Sequence, residues 1–176
     1  MTAHLAVIDM QRVFADPASE WAAPRFAEIV PTVSELVRAL SPAVSHTRFV
    51  APEQPTGAWR DYYARWPFAR QPADSPLWEL VPGIGTVTDP INAPTFSKWG
   101  PQLAARVGEG PLVLAGVSTD CCVLSTAVAA ADAGVPVRVV SDGCAGADDR
   151  SHSAALHVLS LYDPLIVVVP ASALLA

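Results

Sequence analysis

Short runs, most of them strongly apolar, recur along this chain, and stretches with helical spacing separate them. The runs fall at residues 4–8, 43–47, 86–91, 111–115, 135–141 and 165–169. A strand buried on one face alternates apolar and polar residues, whereas a strand buried on both faces reads as one continuous apolar run. Between the first two runs, Ile29, Val33, Leu36, Val37 and Leu40 recur at the spacing of a helix face. Further helices are expected over 100–107, 121–133 and 150–161. Doubly buried strands alternating with helices predict a parallel sheet covered on both sides. The expected fold is α/β, a three-layer α/β/α and Rossmann-like arrangement around a central, largely parallel six-stranded sheet. Residues 52–82 are rich in Pro, Trp and Tyr and read as a long excursion with short helices at most. No repeat, low-complexity tract or linker interrupts the pattern, so residues 1–176 are expected to form one domain.

Composition narrows the class. Apolar residues make up 51% of the chain and charged residues 16%, a balance that supplies a core and does not suit a disordered chain. The net charge of -6, with no basic run, argues against nucleic acid as a partner. No apolar segment approaches the length of a membrane span, and no charged leader with a cleavage site precedes the first strand. A soluble, cytoplasmic protein without a membrane partner is expected. The three cysteines, two of them adjacent, match neither a metal-ligand spacing nor a disulfide framework.

Sites in open parallel sheets form at the carboxyl ends of strands, near the reversal of strand order. Asp9 ends the first run and stands at such an edge. The fourth run leads through Gly116-Val117-Ser118-Thr119-Asp120 to Cys121 and Cys122 at the start of a helix. Unpaired N–H groups and the helix dipole there favour a thiolate, the reactive form of cysteine. Successive residues of a helix point about 100° apart, so only one of the two thiols is expected to face the crevice. Lys98 is the sole lysine among otherwise arginine cations. Its compact ammonium, unlike guanidinium, can lose its proton when desolvated. Cys144 follows the fifth run in a small-residue stretch and reads as structural. The histidines are scattered, with His46 at the second strand end the one nearest a crevice. No metal is expected, and without a glycine-rich loop after the first strand no dinucleotide or other cofactor is expected either.

With these residues in hand, the chain resembles the isochorismatase-like cysteine hydrolases, which include nicotinamidases, N-carbamoylsarcosine amidohydrolases and isochorismatases. The segment from Gly116 to Ala127 carries the resemblance, followed by Ala131-Asp132-Ala133-Gly134 and Val137–Asp142. Val7-Ile8-Asp9-Met10-Gln11 through Phe14 matches the first strand. The motif places the nucleophile directly before the valine, which selects Cys122. The resemblance implies an Asp-Lys-Cys triad with Asp9 as general base and acid. It also implies a cis peptide at Val117–Ser118, and an oxyanion hole from the Ser118 and Cys122 N–H groups.

Two departures stand out. Ala93 occupies the position where the family pattern has its lysine, so Lys98 is the expected replacement. The nicotinamidase metal ligands after the second strand are missing from His46-Thr47-Arg48-Phe49-Val50, which disfavours nicotinamidase itself. Isochorismatases proper cleave a vinyl ether without a cysteine nucleophile, so Cys122 tilts the expectation toward an amide or ureido C–N bond. The alternatives are isochorismatase-type hydrolysis of another small substrate, or a non-catalytic ligand-binding or scaffold role with an incomplete triad. Phe14, Trp59 and Trp99 are the candidate walls of a small-molecule substrate pocket. The resemblance also implies a homo-oligomer, dimer or tetramer, and the 52–82 excursion is a candidate interface.

Overall fold

The computed structural model describes residues 2–175. The chain runs β1 (His4–Ile8), α1 (Arg12–Ala15), α2 (Phe26–Leu40), β2 (Val44–Phe49), α3 (Trp59–Arg65), β3 (Ile91–Ala93) and α4 (Pro101–Val107). It continues through β4 (Leu112–Val117), α5 (Leu124–Asp132), β5 (Val137–Ala145), α6 (Asp149–Ser160) and β6 (Ile166–Val169). The strands form a six-stranded sheet in the order β3-β2-β1-β4-β5-β6, and every neighbouring pair is parallel. The chain begins at the centre, builds outward to β3, then crosses back to β4 and builds the other way. That reversal leaves a crevice beyond the carboxyl ends of β1 and β4.

Side-chain alternation along the central strands divides the core in two. Leu5, Val7, Val113 and Ala115 face α2 and bury Ile29, Val33 and Leu36. Ala6, Ile8, Leu112 and Leu114 face the other way, against Leu103 and Val107 of α4, Ala127 and Ala130 of α5, and Leu159 of α6. All five β1 residues are buried, which is why the run lacks a polar face. His4, its polar end, is satisfied by the Ser45 hydroxyl at 2.9 Å. Gly116 has φ of +120°, and a Cβ there would run into the Ile8 backbone, so β1 and β4 meet closely only with glycine at this position.

Several boundaries differ from the sequence reading. The third strand is Ile91–Ala93 and not 86–91. It pairs with Thr47, Arg48 and Phe49 at the end of β2, so the partner strand decides its place and the local apolar run does not. The fifth strand continues through Gly143 and Cys144 to Ala145, because Cys144 and Ala145 pair with Gly116 and Val117 beyond a register shift. Cys144 therefore lies within a strand, and burial pushes its thiol up to about 12. The helix expected from 121 begins instead with a π-helical turn, Thr119–Val123, ahead of α5.

Candidate active site

Asp9 is the first residue past β1 and is fully buried. Its φ of 47° lies in the left-handed region, which aspartate tolerates better than most side chains. The Asp9 N–H donates to Thr47 Oγ1 at 3.2 Å, and the Thr47 hydroxyl donates to Asp9 Oδ1 at 2.6 Å. Gln11 braces the same corner. Its Nε2 donates to the Phe49 and Trp78 carbonyls, both at 2.9 Å, and its Oε1 accepts from the Phe49 N–H at 2.7 Å. The ends of β1 and β2 are thereby tied to the 52–82 excursion.

Lys98 meets this carboxylate. Its Nζ lies 3.0 Å from Asp9 Oδ2, with both side chains fully excluded from solvent. Nζ also donates to the Thr95 carbonyl at 2.6 Å and rests 4.8 Å from the centre of the Phe49 ring. Asp9 Oδ2 accepts no hydrogen bond from any described residue, the ammonium standing at ion-pair distance but off the hydrogen-bonding direction. Desolvation of both ions makes such a pair strongly interdependent, since losing either partner strands a buried charge. Ala93 ends β3, where its carbonyl accepts from the Val50 N–H at 3.1 Å. Lys98 arrives five residues later from the following loop. Its N–H donates to Thr126 Oγ1 at 2.9 Å, and that hydroxyl donates to the Cys122 carbonyl at 2.6 Å. One threonine thus fastens the lysine loop to the cysteine turn.

The turn itself starts at a cis peptide between Val117 and Ser118. The Ser118 carbonyl accepts from the N–H groups of Cys121 at 3.0 Å and Val123 at 3.1 Å, closing the π-helical turn. π-Turns of this kind are frequent where backbone must aim a side chain. Cys122 is 3% exposed, whereas Cys121 is half-buried, and all three cysteines are free thiols. The hydrogen bond with Cys121, burial and the Asp9 charge hold the Cys122 thiol well above the usual range, while Lys98 pulls it down. Cys121 is lowered, chiefly by the hydrogen bond from Cys122. Behind the turn, Thr119 Oγ1 lies 2.8 Å from His152 Nδ1, and Asp120 Oδ1 accepts from the Ala147 N–H at 3.0 Å.

A cavity of about 370 Å³ opens over this turn, with Ser118, Cys121 and Cys122 on its surface. Phe14 lines it, together with Trp21, Phe49, Tyr62, Trp66 and Phe96. Trp59 stands one layer behind, its ring 5.0 Å from that of Phe96. Trp99 packs against the α4–α5 side of the sheet and does not line this cavity. His46 directs Nε2 to the Ile84 carbonyl at 2.8 Å, a structural partnership. Among the described residues, no group of three or more His, Cys, Asp or Glu side chains is arranged to hold a metal.

Comparison with known proteins follows the same line. A model of the isochorismatase domain matches residues 2–170. The chain belongs to the isochorismatase family. Solved structures carry the family fold at low identity. A cysteine hydrolase from Pseudomonas syringae pv. phaseolicola 1448A superposes with a TM-score of 0.83 at 19% identity, over 98% of this chain and 90% of that one. An isochorismatase family protein from Desulfovibrio vulgaris subsp. vulgaris str. Hildenborough gives 0.82 at 24% identity, over 98% and 96%. The nicotinamidase/pyrazinamidase PncA from Bacillus subtilis gives 0.73 at 19%, over 96% and 99%. A search of curated proteins finds no match.

Sequence reasoning passed over several residues of this isochorismatase-fold crevice. Thr47 and Thr126 gave no signal because their partners lie 38 and 28 residues away in the chain. Trp21, Phe49, Tyr62, Trp66 and Phe96 come from separate segments that only the tertiary fold gathers. The polar Gln11, three residues past a buried strand, was the one legible hint, since buried amides need partners.

Proposed function

We propose that this protein is a cysteine hydrolase acting on an amide or ureido C–N bond of a small molecule. One observation carries the reading: a solvent-excluded Asp9–Lys98 ion pair is joined through Thr126 to a cysteine turn that lines an apolar cavity. The Cys122 thiol is held above its usual range, so this reading requires a base to take its proton, and that role falls to Asp9. Asp9 takes the Cys122 proton while Lys98 balances the charge. The Sγ pair forms a bond to the carbonyl carbon, and the oxyanion is held by the Ser118 and Cys122 N–H groups. Asp9 returns the proton to the leaving nitrogen as the C–N bond breaks. Water then gives a proton to Asp9, attacks the thioester carbon, and the released thiolate regains that proton. The proposal includes a homo-oligomer, and sedimentation at the mass of one chain would contradict that part.

The test is a screen of small amides, ureas and nicotinamide, read by ammonia release. Wild-type turnover of one of them, falling by about 10³-fold or more in Cys122→Ala, is the expected result. A Cys122→Ala variant that works at the wild-type rate sinks the mechanism. No turnover of any of these compounds, together with a Cys122 that iodoacetamide does not label, favours a non-catalytic binding protein.

A further inference from the structure

The charge and chemistry of the cavity wall restrict what can occupy it. Six aromatic rings line it, those of Phe14, Trp21, Phe49, Tyr62, Trp66 and Phe96. Apart from the two thiols and the Tyr62 phenol, the ionisable groups on its surface are Glu20 and Asp120, and neither Arg nor Lys lines it. Glu20 is exposed and forms no ion pair among the described residues. One oxygen of Asp120 is engaged by the Ala147 N–H.

Ring orientation matters too. Trp21 sits at the centre of the wall, edge-on to Phe49 at 85° and to Trp66 at 69°, tilted to Tyr62 at 40°, and near-parallel to Phe14 at 12°. Rings packed at such varied angles do not form a two-sided slot for a flat group. The negative faces of aromatic rings attract cations, and substituted ammonium groups are the usual guests of aromatic-walled sites. Two of the rings already carry a cation of the protein, Lys98 over Phe49 at 4.8 Å and Arg65 over Trp66 at 5.5 Å, which leaves Phe14, Trp21, Tyr62 and Phe96 for a guest. A carboxylate or phosphate guest would meet the carboxylates of Glu20 and Asp120, with no Arg or Lys among the lining residues.

We propose that the cavity takes an organic cation, so that the substrate is a small amide or urea carrying a quaternary or protonated amine. The ammonium group lies among the rings toward Glu20, and the scissile carbonyl lies over Cys122. The net charge of -6 adds attraction for such a substrate. A cavity of about 370 Å³ lies at the small end of ligand sites, which suits one compact head group and one amide. This inference rests on the hydrolase reading for the position of the carbonyl, whereas the cation site can be tested without turnover.

The experiment has two arms. In the first, tetramethylammonium is titrated into the Cys122→Ala protein at constant ionic strength, with tert-butanol as neutral control and tryptophan fluorescence as readout. Saturable binding of the cation alone, weakened about threefold or more in Glu20→Gln, is expected. In the second, three acetamides are compared with wild type, bearing trimethylammonioethyl, 3,3-dimethylbutyl and carboxyethyl groups on nitrogen. The expected kcat/KM for the cation exceeds that of its neutral isostere by about tenfold. Glu20→Gln moves that ratio toward one, and the carboxylate is not turned over. Equal turnover of cation and neutral isostere, with no tetramethylammonium binding, overturns the cation site and leaves the cysteine chemistry standing. Tetramethylammonium binding without turnover of any amide supports the cation site and counts against the hydrolase reading.

Discussion

The adjacent thiols at 121 and 122 shift one another in opposite directions. Cys121 is half-buried and its thiol is lowered, chiefly by Cys122. Cys122 is buried and held high, first of all by Cys121. Removing the Cys121 side chain removes the largest influence raising Cys122. A Cys121→Ala variant is therefore expected to alkylate at Cys122 with an inflection at lower pH than wild type, measured by iodoacetamide labelling and peptide mapping. An inflection that rises or stays put would contradict this division. The sequence distinguished the two thiols only through the valine after Cys122, since spacing alone permits either to face the crevice. It identified Asp9 by position and Lys98 by rarity. The partners Thr47 and Thr126 were illegible because a threonine carries no mark of what it will bond to 28 or 38 residues away.

The working unit among the elements is the junction of β1, β4 and the loop before α4. Thr126, in the first turn of α5, accepts from Lys98 N–H and donates to Cys122 C=O. In Thr126→Val both buried groups lose their partner, at about 1–3 kcal/mol per stranded group. For a chain of this length the expected fall in Tm is about 4–24 °C, by calorimetry. A larger relative loss of turnover than the stability change explains is expected too, because Lys98 loses its anchor. An unchanged Tm would show that Thr126 fastens nothing.

The central strands β1 and β4 were legible as continuous apolar runs because both faces are buried. The edge strand β3 was not. Its three residues are fixed by pairing with β2, whereas residues 86–90 before them form no strand and contain Asp89 and Pro90, both unfavourable in strands. The π-turn was invisible as well, since Thr119–Val123 reads as an ordinary helix start.

Across the whole molecule, the sequence pattern predicted the three layers, and the parallel order with its reversal at β1 and β4 places both site-bearing edges together. The aromatic cavity was only half legible. Residues 52–82 advertised their Trp and Tyr content, yet not that Tyr62 and Trp66 turn inward to meet Trp21 and Phe49.

Charge burial also sets a pH dependence for the fold. His4, His46 and His152 all have pKa values lowered below 6.5, first of all by burial. The unfolded chain takes up protons near pH 6.5 and the folded chain only below that. Between the two the unfolded state binds more protons, so stability falls as pH drops. Tm is expected to decline from pH 7 to pH 5, and to decline less in His46→Gln. A flat or rising Tm across that range would contradict it.

The central claim is that Cys122, served by Asp9 and Lys98, forms the covalent intermediate. Its most direct test is rapid acid quench of the enzyme during turnover of an amide found in the screen, followed by peptide mass mapping. An acyl adduct on Cys122, absent from Asp9→Asn, is the predicted result. An adduct on Cys121, or turnover with no adduct and no dependence on Cys122, would contradict the account.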